Sequence, residues 1–302
     1  MNLRQTTRRQ LMKSAAAGGI VTSLSALSVR GQDALASTKK PSSSNKQVKQ
    51  SVMAWCFSSV PTDQLIAACA EMGLSAMEGI SPKYYPAMKE HGLAVSLVGS
   101  HSFKRGPVNP SNRAYCVSKL RESIDLAVEW NCENVITFTG MRVPGLSDAA
   151  STRNCVQCWQ EVIPYAEEKG VNLALEHLNS RDDSHPMKGH PGYFGDDLDR
   201  CVEMIHQVGS PRMKLLFDIY HVQIMHGDIM RRFRQNKDLI CHVHTAGVPG
   251  RGELDETQEL YYPAIIRAIL ATGYPGYITQ EFIPTWKEPL DSLRHGVGVC
   301  DV

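Results

Sequence analysis

An excess of charge of one sign is what this sequence most plainly lacks: 32 lysines and arginines face 31 aspartates and glutamates over 302 residues, a formal net charge of +1. No basic block concentrates that charge, which argues against a nucleic-acid partner gripped through its phosphates. A disulfide framework is missing as well. The nine cysteines are an odd number, and most fall within helical or strand patterns, where a thiol behaves as a small buried apolar group. Cys155 and Cys158 form one C-x-x-C, but no second pair follows at zinc-ribbon spacing, so neither a redox nor a metal role is expected of them.

The amino-terminal segment also falls short of a membrane span. Its uncharged stretch, residues 14–29, is rich in Ala, Gly and Ser and shorter than the about 20 apolar residues a bilayer needs. Thr7, Arg8 and Arg9 precede Leu11 and Lys13, and Ala34, Leu35 and Ala36 make an A-x-A cleavage pattern. Together these resemble a twin-arginine export signal covering residues 1–36, with a membrane anchor as the alternative. The expectation is export to the periplasm, with the membrane met only in transit. Such a route carries folded protein, so thiols can stay reduced. Residues 37–50, STKKPSSSNKQVKQ, are polar and of low complexity and read as a disordered linker.

From residue 51 to 302 the chain has close to the roughly 250 residues of one (β/α)₈ TIM barrel, enough to bury a large core without disulfides. Apolar runs at 52–57, 76–80, 94–99, 134–139, 172–177, 214–221, 239–245 and 276–282 read as strands. Amphipathic stretches at 62–72, 111–130, 151–169, 196–208, 224–236 and 260–272 read as helices, with Thr62 and Asp63 as an opening cap and Gly170 as a stop. Strand then helix, repeated, predicts an α/β fold with a right-handed parallel barrel.

In such a barrel chemistry belongs at the carboxyl ends of the strands. Glu176, Asp218, His244 and Glu281 stand at the ends of LALEH, KLLFDIYH, LICHVH and YITQEF. A carboxylate there is costly unless paired. Three carboxylates and one imidazole suit Mg²⁺, Mn²⁺ or Co²⁺ better than a thiolate-preferring metal. Singly, each could be an ion-paired or core residue; together they point to a metal-dependent enzyme. The polar loops that follow, NSRDDSHPMKGHPG, AGVPGRGELDETQ and IPTWKEPLD, suit a small hydroxylated substrate. His101 in GSHSF is a candidate substrate ligand or a packing residue, and Glu78 in MEGI a candidate hydrogen-bond partner near the metal. Trp55 and Phe57 read as pocket wall or core. His242 shares a face with His244 by the period of two and is a candidate partner behind it.

ALEHLN, FDIYHVQ, CHVHTAGVPGRGELD, ELYYPAI and GYPGYITQEF, in that order, resemble the hydroxypyruvate isomerase branch of the xylose-isomerase-like barrel superfamily. The resemblance covers residues 52–290 and is strongest in the carboxyl-terminal half. It implies that Glu176 and Glu281 are metal ligands and also the acid/base pair, that Asp218 and His244 are ligands only, and that His221 and Arg251 hold substrate oxygens. One departure stands out: better-known hydroxypyruvate isomerases carry Gln where this chain has His244, and sugar epimerases carry His.

The implied reaction is isomerisation of a small hydroxy-carbonyl compound, hydroxypyruvate to 2-hydroxy-3-oxopropanoate, through an enediolate. Stabilised negative charge on oxygen accompanies deprotonation of the neighbouring carbon, and a second carboxyl group returns the proton. A ketose 3-epimerase or other sugar isomerase of the same fold is the nearest alternative. A catalytically silent exported sugar-binding barrel is a further one. The sequence leaves a homo-oligomer, dimer or tetramer, open.

Overall fold

The computed structural model describes residues 48–302; the expected signal, residues 1–36, and most of the expected linker lie outside the described residues. Eight parallel strands form one sheet: β1 (Lys49–Met53), β2 (Ala76–Glu78), β3 (Ala94–Val95), β4 (Asn134–Thr137), β5 (Asn172–Glu176), β6 (Met213–Asp218), β7 (Ile240–Thr245) and β8 (Tyr277–Gln280). Their order is β3-β2-β1-β8-β7-β6-β5-β4. Beyond the end of β3, Val98 bridges Val135 of β4 in parallel, and hydrogen bonds from Val98 N to Asn134 O and from Ile136 N to Val98 O join the two outer strands of that order. The expected TIM barrel is therefore present. β1 starts at Lys49, two residues before the expected domain boundary, because Lys49 and Gln50 pair with Tyr277 and Ile278 of β8.

Helices α1 (Thr62–Glu71), α2 (Tyr85–Glu90), α3 (Arg113–Glu129), α4 (Asp148–Lys169), α5 (Leu198–Val208), α6 (Ile219–Met225), α7 (Ile229–Asn236), α8 (Tyr262–Leu270) and α9 (Pro289–Cys300) follow the strands in turn, with two after β6. Their limits have local causes. The Ser147 side chain accepts the Ala150 amide at the start of α4, and Gly170 ends it at φ +72°. Asp197 caps α5 in the same way and Gly209 ends it at φ +76°. No helix among the described residues is long and apolar enough to cross a membrane.

Several expected limits move. The first strand was expected over 52–57, but residues Ala54–Phe57 form a 3₁₀ turn, so Trp55 and Phe57 do not alternate on a strand. The sixth stops at Asp218, which caps α6, placing His221 on a helix. The third is a two-residue strand followed by an isolated bridge. The helix expected over 224–236 is two helices, parted at Asp228, which stands at φ +55°. All nine cysteines are free, and Cys155 and Cys158 are both buried against the core. Burial pushes the Cys155 thiol upward, and the hydrogen bond to Cys116, then burial, does the same for Cys158.

Period-two alternation decides what enters the barrel. Ala174 and Glu176, Leu216 and Asp218, His242 and His244, and Thr279 and Glu281 each share a face two residues apart. Leu97, Ile136, Ala174 and Leu216 make a small apolar cluster of their own, apart from the main core that contains Trp159, Phe217 and Phe282. Over the mouth, the loops after β3 and β4 touch backbone to backbone. A Cβ on Gly106 would lie 2.4 Å from the Gly140 amide nitrogen, and Gly140 has φ +99°. Gly106→Ala is expected to cost about 1–3 kcal/mol by forcing these loops apart, read as a lower denaturation midpoint with an unchanged slope.

Candidate metal centre at the strand ends

Glu176, Asp218, His244 and Glu281 come from four neighbouring strands, β5 to β8, and all four are buried. One atom from each converges: Glu176 Oε1, Asp218 Oδ2, His244 Nδ1 and Glu281 Oε2. Donor atoms of these residues lie within 4.8 Å of one another. His244 Nδ1 is 2.7 Å from Glu281 Oε2, 3.3 Å from Glu176 Oε1 and 4.0 Å from Asp218 Oδ2. None of the four atoms is in a hydrogen bond, although buried polar atoms nearly always are. Three carboxylates sharing so small a volume need positive charge between them. The residues fit a divalent cation held by oxygen and one nitrogen, as Mn²⁺, Mg²⁺ or Co²⁺ would be.

The backbone explains why these atoms are free. Asp218 spends Oδ1 on the amide of His221 at 3.2 Å, as the cap of α6, which leaves Oδ2 for the cluster. The carbonyl of Glu176 is held by the hydroxyl of Tyr193 at 2.9 Å, and that hydroxyl also takes the amide of Thr139 at 3.0 Å. The amide of Glu281 continues the ladder just past β8 by donating to Thr245 O.

Behind His244, Glu78 Oε1 lies 2.8 Å from its Nε2, and Glu78 Oε2 lies 2.8 Å from Nε2 of His242. Glu78 and His242, weighed from sequence only as partners near the metal, thus stand in one buried network with His244. His221 receives two donors on Nδ1, the Asn179 amide at 3.1 Å and its Nδ2 at 2.7 Å. Its proton therefore sits on Nε2, 3.5 Å from Asp218 Oδ2 and free of a hydrogen-bond partner. Burial, helped by Arg251, keeps this ring neutral by lowering its pKa. His221 thus presents one N–H beside the cluster.

Arg251 is buried at φ +54°. Its Nη2 is 2.7 Å from Glu281 Oε2 and 3.6 Å from Asp218 Oδ2. The guanidinium lies 5.4 Å from the Trp55 ring and 5.5 Å from the Tyr220 ring, and Nη1 donates to Met187 O in the loop after β5. Trp55 is thus wall beside the arginine. His101 is occupied by protein on both nitrogens: Nδ1 faces Ser102 O at 3.3 Å and Nε2 faces Thr137 Oγ1 at 3.0 Å. Burial lowers it to about 4. The structure does not place it in the donor cluster.

Sequence reasoning passed over three residues. Asn179 orients His221; its only signal was its place at the end of ALEHLN. His190 is buried, with its ring 4.1 Å from Phe103 and 6.2 Å from His221. Glu253 accepts from the Thr285 and Trp286 amides and from Ser292 Oγ, tying the loop after β7 to the loop after β8. A cavity of about 390 Å³ at the opposite mouth, lined by Lys49, Glu133, Asn172, Cys241 and Tyr274 among others, contains none of these groups.

A parallel barrel with a carboxylate-rich mouth defines the class, and the chain belongs to the xylose isomerase-like TIM barrel family, whose model matches residues 66–299. It is similar to the 2-oxo-tetronate isomerase of Cupriavidus necator, with 35% identity over 238 residues covering 74% of this chain and 86% of that protein. It is also 27% identical to the human protein named "Putative hydroxypyruvate isomerase", covering 77% of this chain and 78% of that one. Among solved structures, a protein from Brucella melitensis described as AP endonuclease, family 2, has a TM-score of 0.70 at 25% identity, covering 81% of this chain and 95% of its own.

The carboxyl groups differ in their surroundings. Burial, then the charge of Glu281, pushes Asp218 up from 3.8 to about 8, and burial also raises Glu176. Burial would raise Glu281 too, but Arg251 and His244 outweigh it and hold it at about 2. A raised carboxyl pKa favours folding at low pH. Without a cation, that part of the stability is lost as pH climbs from about 4 towards 8, while the carboxylate a cation needs becomes available over the same range. Thermal unfolding from pH 5 to 9, with EDTA or with excess Mn²⁺, should show a Mn²⁺-induced rise in Tm that grows up to about pH 8 and then levels. At a hundredfold excess over Kd the rise corresponds to about 2.7 kcal/mol. A Tm indifferent to Mn²⁺ at every pH would remove the metal centre.

Proposed function

We propose that this chain is a divalent-metal-dependent isomerase of a small hydroxy-carbonyl acid, converting hydroxypyruvate to 2-hydroxy-3-oxopropanoate. The observation that carries this is the convergence of four buried donor atoms without hydrogen bonds, beside an arginine and a neutral imidazole. A bound divalent ion would supply Lewis-acid stabilisation of negative charge on the substrate oxygens. Glu176, Asp218, His244 and Glu281 would hold it.

The protein's own groups account for the proton movements. Glu176 and Glu281 are the two carboxyl groups suited to proton transfer, one taking the proton from the CH₂OH carbon of the substrate. The other returns a proton to the neighbouring carbon. The hydroxyl proton of that CH₂OH group passes to the oxygen of the former ketone, so protonation of the neighbouring carbon leaves an aldehyde at one carbon and CH(OH) at the other. The Nε2–H of His221 would donate to a substrate oxygen. Arg251 offers the planar pair of donors that a carboxylate recognises, and its two aromatic neighbours limit the space around it. His101, with both nitrogens engaged, would contribute ring surface and not a hydrogen bond.

Proton NMR of the Mg²⁺-loaded protein with hydroxypyruvate in D₂O tests this: aldehyde product should appear with deuterium at the carbon that gains the proton. Glu176→Gln and Glu281→Gln should each lower turnover by roughly 10²–10⁴-fold while the circular dichroism spectrum is kept. Full activity in either would sink the assignment. A second reading, ketose 3-epimerisation, rests on His244, the residue the epimerases carry; the same pair of glutamates would then exchange a proton on two faces of one carbon. A ketose incubated in D₂O would exchange and invert at C3 while hydroxypyruvate stayed unchanged.

We also propose that residues 1–36 direct export to the periplasm through a twin-arginine signal. The mature protein recovered from that compartment should begin at Ser37 by intact mass; a protein retaining Met1 there would overturn cleavage.

A further inference from the structure

We propose that Glu78 is a positioning residue of the metal centre: by holding the Nε2–H of His244 it leaves Nδ1 as the lone-pair donor to the cation. The inference rests on the metal-dependent reading above, and it concerns a residue two strands away from the nearest ligand strand in the barrel order.

Hydrogen counting makes the case. Glu78 is fully buried, as are His242 and His244. Its Oε2 accepts from Ser96 Oγ at 2.5 Å and from Thr279 Oγ1 at 3.2 Å, and lies 2.8 Å from His242 Nε2. Its Oε1 lies 2.8 Å from His244 Nε2. Ser51 Oγ completes the chain at 2.6 Å from Ser96 Oγ; because Ser96 gives its proton to Glu78, Ser51 donates to Ser96. A carboxylate with two hydroxyl donors on Oε2 and an imidazole nitrogen at each oxygen has room for their protons only if it is itself ionised. Both rings then carry hydrogen on Nε2.

For His244 that leaves Nδ1 unprotonated in the neutral ring, and Nδ1 is the atom aimed at Glu281 Oε2 and Glu176 Oε1. The opposite tautomer would put N–H on Nδ1 and offer Glu281 a hydrogen bond, removing one ligand from the set. A carboxylate behind a histidine ligand fixes tautomer and ring orientation in this way. The same three residues could be read as a second metal group. The 2.8 Å separations between Glu78 and each ring are hydrogen-bond lengths and leave those nitrogens occupied by protons.

Glutamine in place of Glu78 tests the idea, because an amide has one acceptor oxygen for two N–H groups. Binding of Mn²⁺ to the purified full-length chain, followed by electron paramagnetic resonance, should weaken about 10- to 100-fold in Glu78→Gln. In Glu78→Gln with His242→Gln, the second amide can accept the first one's N–H and turn its carbonyl back to His244, so much of the affinity should return. A single-site merely structural role would not produce that rescue. Unchanged Mn²⁺ affinity in Glu78→Gln overturns the proposal. So does a second Mn²⁺ per wild-type chain that Glu78→Gln loses, which would make the cluster a metal site. If the wild type binds no Mn²⁺, the metal-dependent function fails first and takes this inference with it. Should Glu78→Gln not fold, the wild type decides: ¹⁵N spectra of the Zn²⁺-loaded protein, with His244 assigned by its loss in His244→Gln, should show Nδ1 ligated and Nε2 protonated. Ligation through Nε2 overturns the assignment.

Discussion

Like charges buried side by side dominate this molecule. Glu176, Asp218 and Glu281 bring three carboxyl groups to the ends of β5, β6 and β8, out of water, where burial and the charge of Glu281 raise the demand of Asp218 and Glu176 for a proton or a cation. Arg251 and His244 relieve part of that demand at Glu281, and a divalent ion would relieve the rest. Cys155, Cys158 and Cys201 pack in the main core, while the buried Cys56 thiol feels the charges of Glu281, Arg251, His244 and Asp218.

The barrel interior is divided to support this. Leu97, Ile136, Ala174 and Leu216 fill one part with apolar side chains. Ser51, Glu78, Ser96, His242 and Thr279 fill another with a connected polar network. Such networks rigidify when every member is satisfied and are costly when one is not. Placing the network behind His244 gives the imidazole a defined orientation, which a purely apolar lining would not. On the outer side, Arg251 joins the loops after β5 and β7, and Glu253 joins those after β7 and β8. The mouth is therefore made of loops tied to one another and, through Arg251, to Glu281.

Much of this was legible from residue order. Glu176, Asp218, His244 and Glu281, read as strand-end residues, do come together in one cluster, and Gly170 ends α4; α1 begins at Thr62, but no side chain caps it. Other features were not. The apolar run KLLFDIYH reads as strand through residue 221, yet the Asp218 side chain caps α6 and ends the strand at Asp218. Trp55 and Phe57 alternate like strand residues but lie in a 3₁₀ turn. His101 looked free to reach the mouth; Thr137 and Ser102 occupy both its nitrogens.

By itself the sequence determined the parallel barrel, through its alternation of apolar runs and amphipathic segments, and the placement of Glu176, Asp218, His244 and Glu281 at strand ends, through the period of two that puts such side chains on one face. Only the tertiary structure decided which atom of each donor faces the cluster and which proton each histidine keeps. Those choices depend on partners such as Glu78 and His244, 166 residues apart in sequence, and a contact closed by the curl of the sheet leaves no local pattern in the chain that makes it.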